Sequence, residues 1–82
     1  MSKNYKQVAV PMTAIKSTVD DIDEVTILLN STYYDPQGEP IRNAGMIVEY
    51  CNGKRALLSK SYAAELLNDG IFQRMNIPTT FV

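Results

Sequence analysis

The chain has 82 residues, with nine acidic and eight basic side chains, one cysteine, no histidine and no tryptophan. That length makes one domain with a thin core, and such chains lean on disulfides, metals or association. Cys51 alone excludes an internal disulfide, and the missing histidine removes the commonest zinc and copper ligand, so self-association is the supplement left.

Hydrophobic residues make 45% of the chain and charged residues 21%, which is globular and not disordered composition. No apolar run approaches the roughly 20 residues of a membrane span. The first six residues, Met1-Ser2-Lys3-Asn4-Tyr5-Lys6, lack the apolar stretch of a secretory leader. The expectation is a cytoplasmic protein, which a single free thiol fits. Charge falls in blocks: Lys3, Lys6 and Lys16 come first, then Asp20, Asp21, Asp23, Glu24, Asp35 and Glu39 with no base between them. Arg42, Lys54, Arg55 and Lys60 follow, against Glu49. Blocks of opposite sign can pair within a monomer, between monomers or with a charged partner.

Residues 5–10 read as a short strand, ended or edged by Pro11. Ile15, Val19 and Ile22 are spaced four then three, which predicts an optional short helix near residues 13–23, weakened by β-branched Thr18 and Val19. Residues 25–34 alternate as a strand and end in two tyrosines. Asp35-Pro36-Gln37-Gly38 suits a type I turn, and Asn43-Ala44-Gly45 marks a bulge. Residues 46–51 and 54–58 then form a hairpin around Asn52-Gly53, read as a two-residue type I′ turn. That register pairs Cys51 with Lys54, Tyr50 with Arg55, Val48 with Leu57 and Ile47 with Leu58. It leaves apolar residues on both faces, so each face needs a cover, within the fold or from another chain.

Ser59 and Ser61 are N-cap candidates for a helix over residues 60–69, with Tyr62, Ala63, Leu66 and Leu67 as its apolar stripe. Leu66 and Leu67 are expected to dock it. Gly70 suits the helix end with Ile71 as its hydrophobic contact, and residues 72–75 add a turn. Residues 78–82 are extended and β-prone, and the Phe81-Val82 pair calls for something to pack on. The fold expected is α+β: a small, mainly antiparallel sheet of three to four strands with one helix, about 60–69, on one face.

No catalytic, metal or nucleotide motif stands out, so no catalytic residue, metal site or cofactor is assigned. Cys51 has no histidine to activate it and reads as a partly buried packing residue at a strand end. Asp20, Asp21, Asp23 and Glu24 offer oxygen ligands for hard cations, but their spacing is not that of a calcium loop. They read first as a solvated acidic face and next as a protein-binding epitope. Tyr33 and Tyr34 join them as candidate protein-binding residues, because tyrosine combines apolar area with a hydroxyl. Arg42, Tyr50, Lys54, Arg55 and Lys60 form the candidate nucleic-acid surface, since bases stack on aromatics and cations meet phosphates. A pI near 5.2 argues against it.

The leading functional reading is a non-enzymatic protein-binding module that self-associates, most simply as a homodimer. It could serve as an inhibitor, an accessory factor or an assembly subunit. Binding of single-stranded nucleic acid is the alternative. Acidic mimicry of nucleic acid would need more net charge than −1. Small motif-free cytoplasmic domains of this size also occur among phage accessory proteins, an expectation carried by size alone.

Overall fold

The computed structural model describes residues 15–82, together with the backbone of Lys6–Gln7. The expected α+β architecture is present. Strand β1 is Lys6–Gln7, and Lys16–Asp21 form a 3-10 helix. Then come β2 (Ile22–Ile27), β3 (Tyr33–Tyr34), β4 (Pro40–Arg42), β5 (Ala44–Tyr50) and β6 (Arg55–Ser59). Helix α1 (Lys60–Asp69), helix α2 (Ile71–Arg74) and β7 (Thr79–Phe81) complete the chain. Four strands form a mixed sheet in the order β6-β5-β2-β7, and a smaller sheet runs β1-β4-β3. Most of the segment expected as a strand over residues 5–10 lies outside the described residues, as do positions 13 and 14 of the optional helix.

The stripe of Ile15, Val19 and Ile22 does pack on the core, but not from one α-helix. Thr18 leaves helical geometry at φ −116° and ψ 18°. Its hydroxyl bonds the Ile15 carbonyl at 3.4 Å and the Tyr50 hydroxyl at 2.9 Å. A side chain that competes for nearby backbone groups disfavours continued α-helix. The chain is already a strand at Ile22, three residues earlier than the alternation suggests, because Asp23 sits in a bulge between the Ile22–Tyr50 and Glu24–Glu49 pairs. The strand expected over residues 25–34 also divides. β2 ends at Ile27, and Tyr33–Tyr34 belong to the other sheet.

The hairpin register differs from the sequence reading by one residue. The loop has three residues, not two: Gly53 N–H donates to the Tyr50 carbonyl, and Tyr50 N–H to the Lys54 carbonyl. Gly53 has φ 88°, while Asn52 is not among the positive-φ residues. This is a type I turn followed by a left-handed glycine. The same bonding closes the first hairpin, where Gly38 donates to Asp35, Asp35 to Glu39, and Gly38 has φ 85°. The slip pairs Met46 with Leu58, Ile47 with Leu57, Val48 with Ala56 and Glu49 with Arg55. A one-residue slip exchanges faces, and the apparent apolarity of both faces largely disappears. Met46, Val48 and Leu58 are fully buried on one face, with Val25 and Ile27 beside them. Ile47, Glu49, Leu57 and Arg55 share the other.

Helix α1 covers the buried face. Its N-cap is Ser59, whose Oγ accepts from the Tyr62 N–H at 3.2 Å. Gly70, at φ 77°, ends it and lets α2 start at once. Helix α2 closes with Asn76 at φ 56°: Ile77 N–H donates to the Phe72 carbonyl and Asn76 N–H to that of Gln73. This is the Schellman arrangement, with Ile77 returning to the core. It turns the chain back so that β7 runs parallel to β2, Val25 opposite Thr79 and Ile27 opposite Phe81. The sequence predicts residues 78–82 to be extended but names no partner strand, and β2 is that partner.

Leu66 docks α1 at 1% exposure, with Ala63 and Phe72. Leu67 is 37% exposed, contrary to the expected pair. Four residues of helix carry Ala63 and Leu66 to the sheet, and Leu67 falls a further 100° round, at the rim. Among the described residues no helix is long and apolar enough to cross a membrane.

Candidate interaction surfaces

Asp20, Asp21, Asp23 and Glu24 are all exposed, and they do not share one helix face. Asp20 and Asp21 end the 3-10 helix. Asp23 occupies the bulge, and Glu24 stands on the outer sheet face opposite Glu49. Among the described residues no three Asp, Glu or Cys side chains converge to hold a metal ion.

The basic candidates divide between the two ends of β5, roughly 20 Å apart at a strand rise of about 3.3 Å per residue. At one end Tyr50, Lys54 and Arg55 border a depression with Thr18, Asp21 and Cys51. There the Tyr50 hydroxyl is engaged by Thr18, and Arg55 Nε lies 3.5 Å from Glu49. Cys51 is exposed in the turn, not packed at a strand end, because the three-residue loop takes it out of β5. Its N–H bonds the Asp21 carbonyl at 2.8 Å. At the other end Arg42 and Lys60 line a second depression of about 390 Å³ with Tyr34, which is 56% exposed. Tyr33 is half-buried.

A third surface was not singled out by sequence. A groove of about 300 Å³ runs between the helices and β7, bordered by Leu66, Leu67, Gly70, Phe72, Thr79 and Phe81. Phe81 is 56% exposed, Leu29 57% and Val82 51%. Leu29 donates to the Val82 carbonyl, so the two lie at one end of the sheet. An adjoining depression joins Leu29 to Leu67. Most of the exposed large apolar residues among those described therefore gather round β7. The signal was present in residues 76–82, which hold no charge, but it needed the turn at Asn76 to become a sheet edge.

The two edges of the four-stranded sheet are unlike. Edge β6 begins with Arg55 and is flanked by Lys54 and Lys60, the charged kind of edge that resists pairing. Edge β7 has only Thr79, Thr80 and Phe81. Near its helical side Asp69 receives Arg74 at 2.9 Å and Lys16 at 3.7 Å. The Arg74 hydrogen bond is the main cause holding the Asp69 carboxyl below its ordinary value of 3.8. Partial desolvation opposes it, and the charges of Lys16 and Arg74 reinforce it.

Compared with protein-family models, with curated proteins and with solved structures, the chain matches none.

Proposed function

We propose that this protein is a non-enzymatic protein-binding module that self-associates. One observation carries the reading: the uncharged β7 edge lies beside a groove ringed by exposed Leu67 and Phe81, with Leu29 and Val82 at its end. Large exposed apolar side chains that cluster, unlike ones scattered singly, form the kind of patch that marks interaction sites. Among the described residues no strand pairs with the outer side of β7, and such an edge offers hydrogen-bonding groups that a partner strand can satisfy. The module works as an accessory or assembly subunit in a cytoplasmic compartment, where exposed Cys51 stays a thiol. Sedimentation equilibrium tests it: the expected result is a dimer at micromolar concentration. A lone 9.2 kDa species at that concentration overturns self-association.

A second reading, single-stranded nucleic-acid binding, is favoured by the grouping of Tyr34, Arg42 and Lys60 round one depression. A base could stack on Tyr34 while the cations meet phosphates. Oligonucleotide anisotropy at about 50 and 200 mM salt tests it, because phosphate-driven affinity falls steeply over that range. Binding that is absent at the lower salt removes this reading.

A further inference from the structure

We infer that two copies of this chain join edge to edge through β7, antiparallel about a two-fold axis at Thr80, making one eight-stranded sheet. The inference rests on the self-association reading and gives it a geometry. Hydrogen bonding fixes which groups of β7 are free to pair. The carbonyls of Pro78 and Val82 accept from Val25 and Leu29, and Val82 N–H donates to Ile27. Positions 78, 80 and 82 thus turn their backbone groups toward β2, and Thr79 and Phe81 turn theirs to the outer edge, where no described strand pairs with them. With Thr80 opposite the partner's Thr80, each Thr79 meets the partner's Phe81 as a hydrogen-bonded pair. Four backbone hydrogen bonds result.

The occupant is a second copy for three reasons. An antiparallel edge pair must supply a short, uncharged, outward-facing strand, and β7 is one. Residues 76–82 carry no charged side chain, so self-pairing sets no like-charged side chains opposite one another, whereas the β6 edge would bring Lys54, Arg55 and Lys60 together. The pairing also sets each Phe81 beside the partner's Thr79 across the adjoining grooves, which covers Phe81 and Leu67.

The pairing fixes a distance. Thr80 and the partner's Thr80 form a non-hydrogen-bonded antiparallel pair, with Cα atoms about 4.5 Å apart, within disulfide reach. Thr80 is exposed, so Thr80→Cys in a Cys51→Ser chain should fold, which circular dichroism checks. Mild oxidation should convert most of it to a covalent dimer, and Arg55→Cys in the same background should stay monomeric on a denaturing gel. Phe81→Asp should weaken the non-covalent dimer at least tenfold in sedimentation. If the wild type is a dimer but Thr80→Cys does not cross-link, or Arg55→Cys does so instead, the β7 pairing is wrong while self-association stands. If the wild type is monomeric throughout, both fail.

Discussion

The backbone of Gly45 passes so close to the start of α1 that a Cβ on it would stand 2.5 Å from the Lys60 Cα and 2.9 Å from its nitrogen. Both contacts are with backbone, so no side-chain rotation relieves them. Gly45 sits in the bulge between the Ala44–Ser59 and Met46–Leu58 pairs. The Asn43 carbonyl, at a residue with φ 68°, accepts from the Lys60 N–H at 3.0 Å. The bulge therefore seats the helix on the sheet. Gly45→Ala should cost about 1–3 kcal/mol, as overpacked sites do. Urea denaturation gives the figure, and a variant as stable as wild type would mean that α1 stands further from β5.

The turn at residues 50–53 makes opposite demands on its two tip residues. Gly53, at φ 88° with open space around its Cα, is limited by backbone conformation and not by crowding. Gly53→Val should cost more than about 1 kcal/mol. Asn52 contributes one exposed bond, from Lys54 N–H to its Oδ1 at 2.9 Å, so Asn52→Ala should cost about 0.5 kcal/mol. A type I′ turn would penalise both changes, so thermal melts of the pair separate the two geometries.

Local chemistry was legible wherever a single residue fixed it. Gly38, Gly53, Gly70 and Ser59 all act as their residue types imply. Register was not, because it depends on whether the loop holds two residues or three, and Asn-Gly serves both. One residue of slip then reassigned Leu57 and Leu58 between the faces. The β7 edge was hidden for a different reason. Its partner β2 lies more than fifty positions earlier, and no local pattern encodes a parallel pairing. Tyr34, Arg42 and Lys60 were each visible as candidates, but their grouping required the small sheet to form.

Adjacent leucines on α1 should respond very differently. Leu66 is buried against Phe72 and the sheet core, and Leu66→Ala should cost about 2–5 kcal/mol. Leu67 borders the groove, and Leu67→Ala should stay within about 0.5 kcal/mol in the monomer. Denaturation at low protein concentration isolates the monomer. A large loss in Leu67→Ala there would place it in the core.

Acid should dissolve the Asp69 contacts selectively. The native carboxyl titrates below its ordinary value of 3.8, so its stabilising contribution is present above that pH and is lost as pH falls through the native value. The stability gap between wild type and Asp69→Asn should hold steady from pH 7 to about 5 and close below 3.8. It should favour the wild type, since the carboxylate pairs with Arg74 and Lys16 and the uncharged amide of Asn would not. A gap that widens in acid contradicts the assigned contacts.

Glu24 and Glu49 stand directly opposite each other on β2 and β5, and Arg55 meets Glu49 from the far side. Glu49 thus has a carboxylate on one flank and a guanidinium on the other. Directly opposed like charges destabilise a sheet, and opposite charges stabilise it by about 0.2–1 kcal/mol. Glu24→Lys should therefore raise the melting temperature, an unusual outcome for a charge reversal. The gain should shrink as salt is added, because the pair is near the surface. Asp20→Lys, which opposes no strand partner, serves as the control and should leave stability within about 0.5 kcal/mol. If Glu24→Lys melts below the wild type at low salt, the β2–β5 register at this pair is wrong. Partner binding can be read on the same two variants. If both keep the fold and only one weakens association, the acidic segment contributes by a specific position and not by its net charge.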